Sequence, residues 1–206
     1  MVAPDTLLLV SHVLNELSPG MLAELLESAR QAQEIIWVEA GTHADSRGLI
    51  NVREQLIATG LFAAVAPCTH QSACGMLAAA NERHWRHHFA RPPSSAFQDA
   101  RWAEFSAELE IDLRSLPYSF LVLQRTSVKL PTAAGYSRII GWPRQFKGHS
   151  KVLSCQADGV REFMLQKRDA PQLFRDLRRG EPGPIYRWTL QGGKIAAGAV
   201  VGEQDD

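Results

Sequence analysis

Short apolar runs alternate with stretches of helical spacing through the first third of the chain. Residues 6–10, TLLLV, form a continuous apolar run of the kind that suits a strand buried on both faces of a parallel sheet. Ser18-Pro19 then reads as a helix start, with Ser18 as N-cap, and Leu22, Leu25, Leu26 and Ala29 recur at helical spacing. Residues 34–38, EIIWV, predict a second buried strand that ends in Glu39-Ala40-Gly41-Thr42. A second helix is expected with Asp45 or Ser46 as cap, Leu49, Ile50, Arg53 and Ile57 on its turns, and Gly60 at its end. Residues 61–66, LFAAVA, read as a third strand. Strand and helix in alternation are the signature of βαβ units and a parallel sheet.

The pattern changes after residue 67. Residues 75–83 and 97–112 read as helical, with Trp102, Phe105 and Leu109 on one face of the latter. Residues 119–125, SFLVLQR, predict a strong strand. Hairpins are expected around Ala157-Asp158-Gly159 and across Gln191-Gly192-Gly193, with a short helix over 170–179 between them. The expected organisation is an α/β region over 1–66, a cysteine- and histidine-containing insertion with a helix over 67–118, and a basic, strand-rich region over 119–206.

The 206 residues fit one domain or one with a small appendage. No apolar run approaches the roughly 20 residues of a membrane span. The N-terminus has no basic region ahead of its apolar run and carries Asp5, so it does not read as a signal peptide. An odd cysteine count of 3 argues against a disulfide framework and for a reducing compartment, here expected to be the bacterial cytoplasm.

A formal net charge of zero hides an asymmetry. Residues 1–80 carry 3 basic and 8 acidic residues, and residues 81–180 carry 17 basic and 10 acidic. From Arg125 to Lys151 there are six cations, Arg125, Lys129, Arg138, Arg144, Lys147 and Lys151, and no acid. Tyr136, Trp142 and Phe146 are interleaved with them. Cations neutralise phosphates and exposed aromatics stack on unpaired bases, so the stretch is a candidate RNA contact. The same pattern is also what core aromatics under a solvated basic loop would give.

Residues 67–89, PCTHQSACGMLAAANERHWRHHF, gather Cys68, Cys74 and four of the seven histidines, while Cys155 lies in KVLSCQADG. Thiolate and imidazole are the ordinary ligands of zinc and of iron–sulfur centres. The spacing Cys68-x5-Cys74 is not a standard metal knuckle, and free cysteines also serve as small buried hydrophobes.

Several blocks together resemble the methyltransferase-like proteins associated with the bacterial and mitochondrial small ribosomal subunit. LLLVSHVLNEL and WVEAGT resemble that family's fourth- and fifth-strand blocks. PCTHQSAC matches its first cysteine pair, and HWRHHF, DLRSLPYSFLVLQR, KGHSKVLSC and GVREFMLQKRDAP complete the series over about residues 5 to 180. The resemblance implies the C-terminal half of a class I, Rossmann-like S-adenosylmethionine-dependent methyltransferase fold. It implies a metal centre held by cysteines, a [4Fe–4S] cluster in some members, with Cys68, Cys74 and Cys155 as ligands. The family's fourth cysteine falls at Arg86, which cannot ligate a metal, so His87 or His88 is the candidate replacement and zinc the alternative metal. The glycine-rich cofactor half has no counterpart in the matched blocks. S-adenosylmethionine is therefore expected only when that half is supplied, with Ser11, His12 and Asn15 then beside the methyl group or the substrate.

Three functions follow as expectations. The first is rRNA binding in small-subunit assembly or translation. The others are an active methyltransferase of which this chain is a part, and a metal-binding module without RNA function. Expected partners are rRNA, the absent half, or a second copy meeting an exposed sheet edge; no membrane is expected.

Overall fold

The computed structural model describes residues 6–90, 92–113, 116–126, 135–179 and 185–201. Two mixed sheets form its frame. Strand β1 (Leu7–Ser11), helix α1 (Pro19–Ala29), β2 (Glu34–Ala40), α2 (His43–Ala58) and β3 (Phe62–Ala66) follow the predicted alternation. Ser18 caps α1 by accepting the Met21 N–H at 3.3 Å. The cap of α2 is Thr42, not Asp45 or Ser46: its hydroxyl oxygen accepts the Asp45 N–H at 3.1 Å. Gly60 follows the helix at φ 73°, a conformation that favours glycine.

The first departure is in the sheet. β4 (His88–Ala90) and β5 (Leu116–Arg125) join it, and its path runs β1-β2-β5-β3 with β4 on β5. β1 and β2 pair in parallel, but β5 runs antiparallel to both β2 and β3 and separates them. The sheet is therefore mixed, not purely parallel. Strand β5, grouped by sequence with the C-terminal region, lies inside the first sheet.

The second departure is β1. Leu8 and Val10 pack into the core, but Leu7 is 50% and Leu9 65% exposed. Among the described residues β1 pairs with β2 alone, so its run of leucines covers one face and leaves the other open. The first core joins Ile35, Trp37, Leu49, Leu56, Phe62, Leu121 and Leu123 under α1 and α2.

Residues 75–83 form no α-helix. Two 3₁₀ turns, Gly75–Leu77 and Ala79–Asn81, are separated by Ala78 in extended conformation. Helix α3 (Ala100–Glu108) has the predicted apolar face, yet Trp102, Phe105 and Leu109 are all about half exposed.

The second sheet contains β6 (Arg138–Ile139), β7 (Arg144–Gln145), β8 (His149–Gln156), β9 (Gly159–Gln166), β10 (Tyr186–Gln191) and β11 (Lys194–Val200), with α4 (Pro171–Arg179) packed on it. Both hairpins form as expected. Gln156 pairs with Gly159 across Ala157-Asp158, and Gln191 with Lys194 across Gly192-Gly193, both of which have positive φ. A small third core of Ile50, Met76, Ile140 and Val160 joins the two sheets. There Gly75 lies so close to the β8–β9 turn that a Cβ would meet Val160 N at 2.6 Å. Asn81 fastens the same contact, its side-chain amide donating to the carbonyls of Gly75 and Val160. Among the described residues no helix is long and apolar enough to cross a membrane.

Candidate functional site

Three places hold the residues singled out by sequence. The first is the carboxyl end of β1 and β2. Ser11, His12 and Asn15 are all exposed there. His12 has φ 54°, and its Nδ1 lies 2.8 Å from Ser11 Oγ. The group that shapes this loop is Glu39, only 1% exposed. Its carboxylate accepts the Trp37 indole N–H at 2.7 Å and the N–H groups of Val13 and Leu14 at 3.2 and 3.3 Å. The sequence places Glu39 at a strand end but does not reveal this role.

The second place is a cavity of about 20 Å³ between the two sheets. Cys68, Cys74 and Cys155 all line it, so residues 87 positions apart in the chain meet there. The three thiols are free. The candidate histidines are elsewhere. His87 packs tilted against Trp85 and edge-on to Phe89, and it lies so close to Gly141 that an added Cβ there would meet His87 Nε2 at 2.6 Å. His88 packs against the rings of Tyr118 and Phe120, at 5.9 and 5.0 Å. The imidazole that does line the cavity is His70, with Nε2 3.6 Å from Cys155 Sγ. His70 sits in the loop between the first two cysteines, a sequence signal that could have found it.

Arginine shares this cavity with sulfur. Arg53, Arg86 and Arg138 all line it. Arg53 is 1% exposed; its Nε donates to Cys68 Sγ at 3.1 Å, Nη1 to Glu54, and Nη2 to the carbonyls of His70 and Ser72 at 3.1 Å each. Burial opposes its charge, but the Cys68 sulfur and the Glu54 carboxylate outweigh that and hold the guanidinium above its ordinary range. Arg86 is 5% exposed; its Nη1 lies 3.7 Å from Cys68 Sγ, and its Nε and Nη2 have no hydrogen-bond partner among the described residues. Burial pushes the Cys155 thiol up to about 12 and raises Cys74 as well, while burial and Arg53 lower His70.

Four cysteine thiolates do not fit this site. It has three sulfurs, and the fourth position is a buried guanidinium. Among the described residues no group of three or more His, Cys, Asp or Glu side chains is gathered as a metal's ligands would be.

His88 supplies a pH prediction. Burial, followed by Arg86, Arg138 and His87, lowers its pKa from 6.5 to about 3. The folded state thus holds the ring neutral where the unfolded chain would protonate it. Stability is expected to be lost as pH falls below 6.5 towards 3, by about 2 kcal/mol at pH 5. Denaturant titrations from pH 7 to 4 should show this component in the wild type and its absence in His88→Phe.

The third place is the basic stretch, and the structure divides its members. Arg125 is a structural residue: Nε donates to Ala32 O at 3.0 Å, Nη2 to Arg30 O at 2.5 Å, and the guanidinium covers the Phe62 ring. Arg138 faces the cysteine cavity. Lys129 lies outside the described residues. Trp142 and Phe146 are exposed by 44% and 46%, with Lys147 exposed beside Phe146. Phe146 stacks on His149 at 4.6 Å, and Trp142 on Phe89 at 5.3 Å. Arg144 and Lys151 also reach the surface, but both pair with Glu162. The fold adds two cations the sequence reading missed. The Lys167 N–H donates to Gly148 O at 3.0 Å, which brings exposed Lys167 and Arg168 to the residue that follows Lys147; Arg168 pairs with Asp169 at 3.4 Å. Only the strand pairing of β8 with β9 reveals that proximity.

A search of curated proteins found no match to the chain. The family model described as mitochondrial small ribosomal subunit Rsm22 matches residues 1–187, and this methyltransferase-like family is the one anticipated from the sequence blocks. With all but the last stretch of the chain inside that match, the protein belongs to the Rsm22 family.

Proposed function

We propose that the chain acts in assembly of, or translation by, the small ribosomal subunit by binding rRNA. The observation that carries this reading is that Trp142, Phe146 and Lys147 are exposed within one short stretch, to which the Lys167 N–H bond to Gly148 O joins the exposed Lys167 and Arg168. Cations there can track a phosphate backbone while the rings stack on unpaired bases. Membership of a small-subunit family supplies the class of RNA. The parallel β1 and β2, with their crossover helix, support the further reading that the first sheet is the second half of a class I methyltransferase sheet. On that reading Ser11, His12 and Asn15 stand where a cofactor or substrate held by a glycine-rich half would lie, beyond the carboxyl ends of the strands. The bacterial cytoplasm remains the proposed compartment.

The test is fluorescence anisotropy with a single-stranded fragment of small-subunit rRNA over a salt series. Affinity should fall steeply with salt. In Lys147→Glu/Lys167→Glu/Arg168→Glu the slope of log K against log salt should drop by about 2, at roughly 0.7 per lost phosphate contact. An unchanged slope, with the circular dichroism spectrum intact, rejects this face as the RNA contact.

A further inference from the structure

The cysteine cavity has the wrong charge for the centre its sulfurs suggest. Three guanidiniums line it, and of the two carboxylates that act on its lining, Glu54 is already engaged by Arg53 and by the Cys74 N–H, and Asp158 by Arg161. Arg86 and Arg138 form no ion pair among the described residues. Among the described residues Arg86 is buried with Nε and Nη2 unpartnered, and Arg138 Nε is buried and unpartnered as well. Unpaired buried cations are costly, and orphaned donors of this kind mark a group that completes them. A metal cation would add positive charge where two guanidiniums already lack a counter-ion.

We propose that this cavity is an anion site, taking one monovalent anion of halide size, with chloride as the natural occupant. Its volume of about 20 Å³ is enough for a species close to water in size. Arg86 and Arg138 supply the charge and the N–H donors. Where the resemblance places a fourth thiol for a metal centre, Arg86 supplies a fixed cation, and the anion it holds takes over the job of joining the two sheets. This inference is independent of the RNA-binding reading, since the exposed face and the cavity share no residue.

The experiment uses the full chain, purified anaerobically and exchanged into sodium gluconate. Replacing gluconate by chloride or bromide at constant ionic strength should raise Tm saturably, by about 2–4 °C at full occupancy. The ³⁵Cl resonance should broaden in the presence of protein, and bromide should reverse the broadening. Arg86→Gln should abolish both responses. Arg86→Cys should abolish them and gain bound iron or zinc on metal analysis. Three results each overturn the proposal: stoichiometric iron or zinc in the wild type, no ³⁵Cl broadening, or a halide response unchanged in Arg86→Gln. If Arg86→Gln does not fold, the wild-type line broadening and metal content decide the matter alone.

Discussion

Arg53→Ala is expected to destabilise the protein by about 3–5 kcal/mol, the range for removing one partner of a buried ion pair. Arg53 stands on α2 among apolar neighbours and is 1% exposed, yet its guanidinium makes four separate contacts. One goes to Cys68 Sγ, one to Glu54, and two to the carbonyls of His70 and Ser72. Alanine would leave two carbonyls of the 67–74 loop without donors and Glu54 without its cation. It would also open a void beneath the loop. Arg53→Lys should recover only part of the loss, because an ammonium keeps the charge but cannot match the planar fork. Urea unfolding followed by circular dichroism measures both variants. A loss below about 1 kcal/mol for Arg53→Ala would mean that the loop is held by other contacts.

Glu39→Ala should cost about 3 kcal/mol and should also loosen a defined segment. Three donors converge on this buried carboxylate, the Trp37 indole and the Val13 and Leu14 amides. Each donor left unsatisfied in a buried site costs about 1–3 kcal/mol, with partial relief where water reaches the loop. The two amides belong to the turn that carries Ser11, His12 and Asn15. Native-state hydrogen exchange should therefore show Val13 and Leu14 losing protection in Glu39→Ala, beyond the loss explained by global stability. Amides that stay as protected as the global unfolding reaction allows would show that Glu39 does not set the loop.

Elements with local signals were legible in the sequence. Ser18 before Pro19 marks a helix start through one side chain and one fixed φ, and Gly192-Gly193 supplies two positive φ angles in a row. What failed was information carried by pairing. Nothing in LLLVS says that β2 will be its neighbour on one side and that Leu7 and Leu9 will be left open. Nothing in SFLVLQR says that it will insert between β2 and β3. The histidines show the same limit. His87, just before β4, packs with Trp85 and Phe89, while His88, the first residue of β4, packs with Tyr118 and Phe120, so the two adjacent rings serve different neighbours. The β4–β5 pairing sends His88 to the Tyr118–Phe120 rings, and the loop geometry brings His70 to the sulfurs instead. Of the basic residues, Arg125 and Arg138 read as surface charge because composition cannot distinguish a solvated guanidinium from one tied to backbone carbonyls or to a cavity.

Glu162 on β9 sits between Arg144 and Lys151 and pairs with both. Burial opposes the charge on Glu162, but its hydrogen bonds to Arg144 and Lys151 and their charges outweigh that and hold its carboxyl below the usual range, so it remains an anion in mild acid. The face proposed for RNA thus carries its own competitor. A phosphate arriving at Arg144 or Lys151 must displace a carboxylate already in place, and one at Arg168 competes with Asp169, whereas Lys147 and Lys167 meet no such rival among the ion pairs of the described residues. Weak, indiscriminate polyanion binding is thereby discouraged on one side of the face. A ligand gains the full set of contacts only by reaching across it, and this favours an extended strand over an isolated phosphate.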